Sequence, residues 1–491
     1  MSQSVAPPVD QPQIFGHPRG LATLFLTEVG ERFTYYGMRA ILILFMVETL
    51  SKGGLGLDDR TANAVYGLYQ ASTYLLSLFG GWIADRLIGQ QRAVFSGGVF
   101  IVLGNALLTV GQPTVFFLGL TVIALGVGLL KPNVSAIVAQ LYPEGGARRD
   151  AGFSIFYSGI NLGALLGSAL VPIVAAAYGW AAGFALPALG MALGLAQFRM
   201  TRHYLGGAGA TALGQRASWW PVAVFLAIVA LLGSLVLAGA LELDPVAISI
   251  GANWAMFALL AGYFVYLLMF AGLDRTERSR AWAMVALAAG CVMFFAGYEQ
   301  AGASFNLFAE RYTQLDVLGW SIPAGALQAV NPLMIVVFAP VFAALWVNLG
   351  RRMLEPSAPA KFGLGLLFMG AGFLVIFAAA EYVLQGQKVA ATWLVLTYLL
   401  HTFGELCLSP VGLSSMTKLA PPRFVGQILG VWFLALAIGV NLAGQFSGNI
   451  DPENVSTLPA QFLYLFWWGV IGGIVMLALT PFIKRLMAGV Q

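Results

Sequence analysis

Four ionisable side chains crowd into one short stretch near the start of the chain, EVGERFTYYGMR at residues 28–39: Glu28, Glu31, Arg32 and Arg39, interleaved with Tyr35 and Tyr36. The residues on either side are apolar. At about 100° per residue a helix gathers these six side chains onto one face about 140° wide and leaves the opposite face greasy. If that helix lies in lipid, each charge costs about 2.5–3.5 kcal/mol at the helix centre, and four cost about 10–14 kcal/mol unpaired. Such groups must be ion-paired or used. The chemistry open to them is ion exchange, proton binding and the holding of a charged solute.

Three further lone charges sit in apolar runs. Lys131 lies in GLLKPNVS (128–135) beside Pro132, Glu405 in GELCLSPVGL (404–413) shortly before Pro410, and Glu299 in FAGYEQ (295–300). A lone ionisable group deep in a membrane marks a solute or proton path, with its partner on another helix. Intramembrane bases are then Arg32, Arg39 and Lys131, against the acids Glu28, Glu31, Glu299 and Glu405. One carboxylate is left over and is predicted to carry a proton. Histidine competes poorly for that role: His17 is in the tail, His203 in a loop, and His401 is isolated.

The elements that must position these groups follow from composition. Of 491 residues, 59% are hydrophobic and only 9% charged, which excludes a water-soluble core. Apolar runs of about 20 residues recur, and they are continuous rather than alternating, so the spans are helices and not barrel strands. Fourteen spans are predicted, near 20–50, 61–84, 93–110, 115–139, 151–178, 180–200, 217–240, 248–272, 280–309, 320–348, 361–380, 391–417, 424–447 and 461–483. Outside them, 18 Lys and Arg fall on the side of the N-terminus and only Lys52, Arg60, Arg311 and Lys388 on the other. That asymmetry puts both termini in the cytoplasm, and it explains the net charge of +4 without nucleic acid.

The polar tracts divide the chain into a disordered cytoplasmic tail (1–19), a six-helix bundle (20–203), a linker with an extra transmembrane hairpin (204–279) and a second six-helix bundle (280–487). The hairpin, 219–273, has no charge inside either helix and reads as a lipid-facing appendage. Cys291 and Cys407 fall within apolar runs and suit packing better than pairing or metal binding. The tail, with four Pro in its first 20 residues, lacks the features of a cleaved signal. Two six-helix halves around a midplane site is the plan of a major facilitator transporter, an all-α membrane protein of 12 core helices. GGWIADRLIGQQR (80–92), at a turn between spans, suits a latch between helices, and GRR (350–352) is its weaker echo in the second half.

Taken together, the 28–36 stretch, the 81–89 loop, FSIFYSGIN (153–161) and the 405–410 segment resemble the proton-dependent oligopeptide transporters, the peptide branch of the major facilitator superfamily. The resemblance runs from about residue 22 to 446 and includes the extra helix pair of bacterial members. It implies that Glu28, Glu31, Arg32 and Glu299 belong to proton coupling. It further implies two gating salt bridges, Arg39 with Glu299 and Lys131 with Glu405. A peptide's carboxylate would be held by Arg39 and Lys131, and its amino group by Glu405 assisted by Asn161 and Asn331. Tyr35, Tyr36, Tyr74, Phe295 and Trp432 would line the side-chain pockets.

Two departures stand out. The second span has no histidine of the kind that mammalian members carry, and Phe295 stands where many bacterial members have tryptophan. The expected protein is thus no enzyme but a symporter of di- and tripeptides in the inner membrane of a bacterium. Protons are its coupling ion, it has no cofactor or metal, membrane lipid surrounds it, and nothing requires more than a monomer. The alternatives are a same-fold transporter of a drug or anion, a membrane enzyme using Glu299 or Glu405 as base, and a channel.

Overall fold

The structure is a computed structural model that describes residues 13–143, 146–210, 220, 223–224, 227, 243–317, 319–450 and 455–490. Its long helices are α1 (Arg19–Val47), α2 (Asp59–Ile83), α3 (Gln90–Leu108), α4 (Pro113–Gln140), α5 (Gly146–Tyr178), α6 (Trp180–Thr201), α7 (Pro245–Met269), α8 (Arg275–Tyr298), the short α9 (Ser304–Tyr312), α10 (Val330–Arg351), α11 (Ala358–Leu384), α12 (Thr392–Leu419), α13 (Val425–Ser447) and α14 (Leu458–Leu486). Eleven described segments are long and apolar enough to cross a membrane. α1 and α2 match them in length at 29 and 25 residues but are more polar. The protein is a multi-pass membrane protein, as its composition requires. Most of the first hairpin helix expected at 217–240 lies outside the described residues, as does the tail before residue 13.

Helix starts follow local chemistry. The Asp58 carboxylate accepts the Thr61 amide at 2.9 Å and opens α2. Asp274 and Glu277 form a reciprocal capping box at the start of α8, with the Glu277 amide donating to Asp274 at 2.7 Å and the Asp274 amide to Glu277 at 3.2 Å. That cap marks where the last six-helix group begins.

α1 packs on α5 and α6, α3 on α4 and α6, and α2 on α4; separately, α11 packs on α12 and α14, α8 on α13 and α14, and α10 on α12. The two groups meet where α2 lies against α13 and α5 against α10. Below, the end at which α1 begins and α14 finishes is called the terminal face, and the opposite end the distal face.

Three details depart from the sequence reading. Residues 13–18 of the tail form a two-residue antiparallel ladder, Gln13–Ile14 with His17–Pro18, instead of disordered chain. The span expected at 280–309 is broken: after α8 comes a 3-10 turn, Glu299–Gly302, before α9. The break is possible at membrane depth because side chains satisfy it. Gln300 accepts from Ser304 at 2.6 Å and from Ser447 at 2.5 Å and donates to the Ala443 carbonyl at 3.0 Å. Finally, α7 is no simple appendage. It lies on the seam between α2 and α13, and its Ser249 is buried and bonded to Asn441 and Gln445 of α13 at 2.8–3.0 Å. Its other side, with Trp254 and Leu259, is exposed.

Candidate functional site

The charged face of α1 turns inward, as its cost in lipid demands. Arg32 Nε lies 2.9 Å from Glu28 Oε1 and also pairs with Glu31, so one guanidinium serves two carboxylates. Two turns further on, Arg39 crosses to the other half of the molecule. Its Nη2 is 2.8 Å from Glu299 Oε2, and its Nε donates to the Tyr66 hydroxyl at 2.8 Å. All five charged groups are at most 6% exposed. Pairing at this burial is what makes them tolerable, since removing one partner leaves an uncompensated charge.

The broken helix explains how Glu299 reaches Arg39. Gly302 ends the 3-10 turn, and a Cβ there would lie 2.7 Å from Arg39 Nε and collide with the Tyr66 ring. Only glycine lets the turn close on that pair. Nearer the distal face, Arg311 grips Asp59 through two parallel bonds of 2.6 and 2.7 Å, and Asn306 donates to the Ala40 carbonyl at 2.8 Å. The two halves are therefore pinned together at this end.

The second pair expected from the sequence is not formed. Lys131 and Glu405 make no ion pair, and both are only half-buried. Lys131 Nζ sits 4.2 Å above the Tyr74 ring, a cation–π contact. Glu405 accepts instead from the Tyr298 hydroxyl at 2.6 Å and from Asn331 at 3.2 Å. Opposite charges thus face the interior from α4 and α12 without touching. Each sits by a proline inside its helix, Pro132 and Pro410. Pro132 has no amide for the Gly128 carbonyl. A Cβ on Gly80 of α2 would run into that carbonyl, so α2 and α4 approach closely there.

The aromatic residues divide. Tyr35 donates to Gln70 at 2.5 Å and meets Tyr36 edge-on at 5.2 Å. Tyr36 lines a small cavity of about 20 Å³ together with Arg39, Tyr298, Gln328, Asn331 and His401. That volume holds about one water, far less than the roughly 300 Å³ of a small-molecule pocket, so it is a narrow recess beside the Arg39–Glu299 pair. Phe295 is buried against Phe294 and Tyr298 within the second half. Trp432 is 4% exposed and packs edge-on against Phe362 and over Gly412, inside the second bundle. Its neighbour Phe433 faces the other half and stacks on Tyr74 at 6.4 Å. Asn161 is buried, its amide donating to the Tyr157 carbonyl of its own helix at 3.0 Å, and it is not bonded to Glu405.

Several groups at the site escaped the sequence reading. Tyr66 and Gln70 lie four residues apart on α2 and hold Arg39 and Tyr35. Their spacing, continued by Tyr74, was a visible polar and aromatic row. Tyr298, next to Glu299, holds Glu405. Phe433 had no distinguishing signal.

This arrangement offers opposite charges held apart on the two halves. Residues 91–460 match the family described as POT. The chain is 39% identical to "Peptide transporter YePEPT" of Yersinia enterocolitica, over 97% of this chain and 96% of that one. It is 35% identical to a "Di-/tripeptide transporter" of Lactococcus lactis, over 97% and 98%. Among solved structures, a variant of a peptide transporter POT in complex with alafosfalin superposes with a TM-score of 0.90 at 42% identity, covering 98% of both chains. On these matches, and on the all-helical architecture shared with those structures, the chain belongs to the POT family, the proton-dependent oligopeptide transporters of the major facilitator superfamily.

Proposed function

We propose that this protein is a proton-coupled symporter that imports di- and tripeptides across the inner membrane of a bacterium by alternating access. The observation that carries the reading is the unpaired opposition of Lys131 on the first half and Glu405 on the second, with the Arg39–Glu299 pair closed beside it. A peptide zwitterion has one negative and one positive end. Lys131 and Arg39 suit its carboxylate, and Glu405 with Asn331 suits its amino group. Binding then links the halves that must move, which is how a ligand biases one arrangement over another. Two relatives that match along nearly their whole length are named as a peptide transporter and a di-/tripeptide transporter, which supports this substrate class.

Proton coupling is assigned to Glu28, Glu31 and Glu299. In the α1 cluster one guanidinium faces two carboxylates, while Arg39 holds Glu299. Protonating Glu299 would free Arg39 and unlock the pair. With 17 of the 21 described basic residues outside the spans on the terminal face, that face is assigned to the cytoplasm and the closed distal face to the outside. The arrangement then corresponds to a carrier shut to the exterior. No cofactor beyond the proton enters this scheme.

The test is uptake of labelled dialanine into proteoliposomes under an inward proton gradient. The expected result is gradient-dependent accumulation that fails in Glu405→Gln and in Glu28→Gln. Absent or gradient-independent uptake by the unaltered protein overturns the peptide symport reading in favour of another solute, a drug or an anion.

A further inference from the structure

A second concave region lies well away from the central site, on the terminal face between the start of α3 and the end of α6. It encloses about 720 Å³ and is lined by Arg92, Phe95, Ser96, Arg199, Arg202 and His203. Arg92 projects from the first turn of α3, Arg199 from the last turn of α6, and Arg202 and His203 from the 3-10 turn that follows it. Among the described residues, none of the three arginines has a carboxylate within ion-pair distance. Elsewhere on this face Arg423 pairs with Glu277 and Lys361 with Glu355.

Three guanidinium groups directed into one cleft repel one another unless an anion joins them. Their planar forks match the oxygens of a phosphate group. The cleft wall is fixed: Gln91 donates to the Ala208 carbonyl at 2.8 Å, its amide donates to the Gly209 carbonyl at 2.9 Å, and Gln140 accepts from the Gly209 amide at 2.8 Å. Its rim leads onto lipid-exposed apolar side chains. Phe95 and Leu103 on α3 are 38% and 52% exposed, and Leu193 and Leu189 on α6 are 63% and 55%. These run down the membrane from the arginines along both helices.

We infer that this cleft is a binding site for an anionic phospholipid of the cytoplasmic leaflet, its phosphate held by Arg92, Arg199 and Arg202 and its acyl chain laid along α3 and α6. The apolar continuation is what selects a lipid over free phosphate, which would use the arginines alone. The cytoplasmic leaflet is negatively charged, and basic pockets between transmembrane helices on that side take lipid headgroups. The peptide site shares no residue with this one, so lipid binding stands or falls separately from the transport reading.

The test is a lipid titration of the delipidated full-length protein followed by native mass spectrometry. Phosphatidylglycerol and phosphatidylcholine of the same chain length, and inorganic phosphate, serve as the three probes. The expected result is a preference of about tenfold or more for phosphatidylglycerol. It should collapse in the triple variant Arg92→Gln, Arg199→Gln, Arg202→Gln and fall partway in Arg202→Gln alone, which alters one exposed side chain and serves if the triple variant does not fold. Equal binding of the two lipids, or a preference unchanged in Arg202→Gln and in the triple variant, overturns the site. Phosphate competing as well as the lipid overturns the lipid as its occupant.

Discussion

Arg39 Nη2 and Glu299 Oε2 stand 2.8 Å apart and join the first helix of one half to the 3-10 turn that breaks the first span of the other. Both groups are buried, so the pair is held at membrane depth away from bulk water. Glu299→Gln leaves Arg39 uncompensated, at an expected penalty of about 3–5 kcal/mol. Replacing both by Gln should recover most of that stability while gradient-driven uptake stays at least about tenfold down. Thermal denaturation of the single and double variants measures the coupling; additive losses would show that the two residues do not act as a pair.

Gly302 should be as sensitive as the ion pair it accommodates. A methyl group there meets Arg39 Nε at 2.7 Å. Gly302→Ala is expected to yield a folded protein whose uptake falls about as far as that of Glu299→Gln, because the turn can no longer close on Arg39 and Tyr66. Normal uptake in this variant would mean that the turn has slack that its packing does not suggest.

Glu405 should read the amino end of the substrate. A hydrogen bond to a charged group contributes about 1.5–3 kcal/mol, or roughly ten- to a hundredfold in affinity. The unaltered protein is therefore expected to bind dialanine better than N-acetyl-dialanine by that factor, and Glu405→Gln to bind the two almost equally. Competition against labelled dialanine measures both ratios. Undiminished discrimination in Glu405→Gln would assign the amino group to other residues.

Phe433 and Trp432 are neighbours in sequence and should behave oppositely. Phe433 stacks on Tyr74 across the interface, whereas Trp432 fills the second bundle against Phe362. Trp432→Ala is expected to destabilise by about 3–5 kcal/mol, the range for a buried large aromatic. Phe433→Ala should cost little stability and instead change the ranking of competing dipeptides. If the two effects were exchanged, the orientation of α13 would be wrong.

Asp59 and Arg311 close the distal face through two parallel hydrogen bonds. Such a bidentate, mostly buried pair is worth about 1–3 kcal/mol per charged bond lost. Asp59→Asn should lower the melting temperature, and the exchange Asp59→Arg with Arg311→Asp should restore part of it. A melting temperature unaffected by Asp59→Asn would show that this contact adds nothing to closure.

Sequence alone determined the membrane class, the helix count to within the undescribed segment, and which side chains had to face inward. Each follows from one strong term: apolar residues prefer lipid, and Glu28, Glu31, Arg32, Arg39, Glu299 and Glu405 are too costly to leave in it. The break at Glu299–Gly302 was invisible, because it depends on Gln300, Ser304 and Ser447 satisfying one another across two helices. The choice of Phe433 over Trp432 was equally hidden, since adjacent apolar residues on one helix differ only in where its rotation points them. Which charges pair was decided by the fold as well. Residue types fix the sign of every partner, but whether Lys131 meets Glu405 or Tyr74 depends on how the two halves sit, and that is the variable a transporter changes.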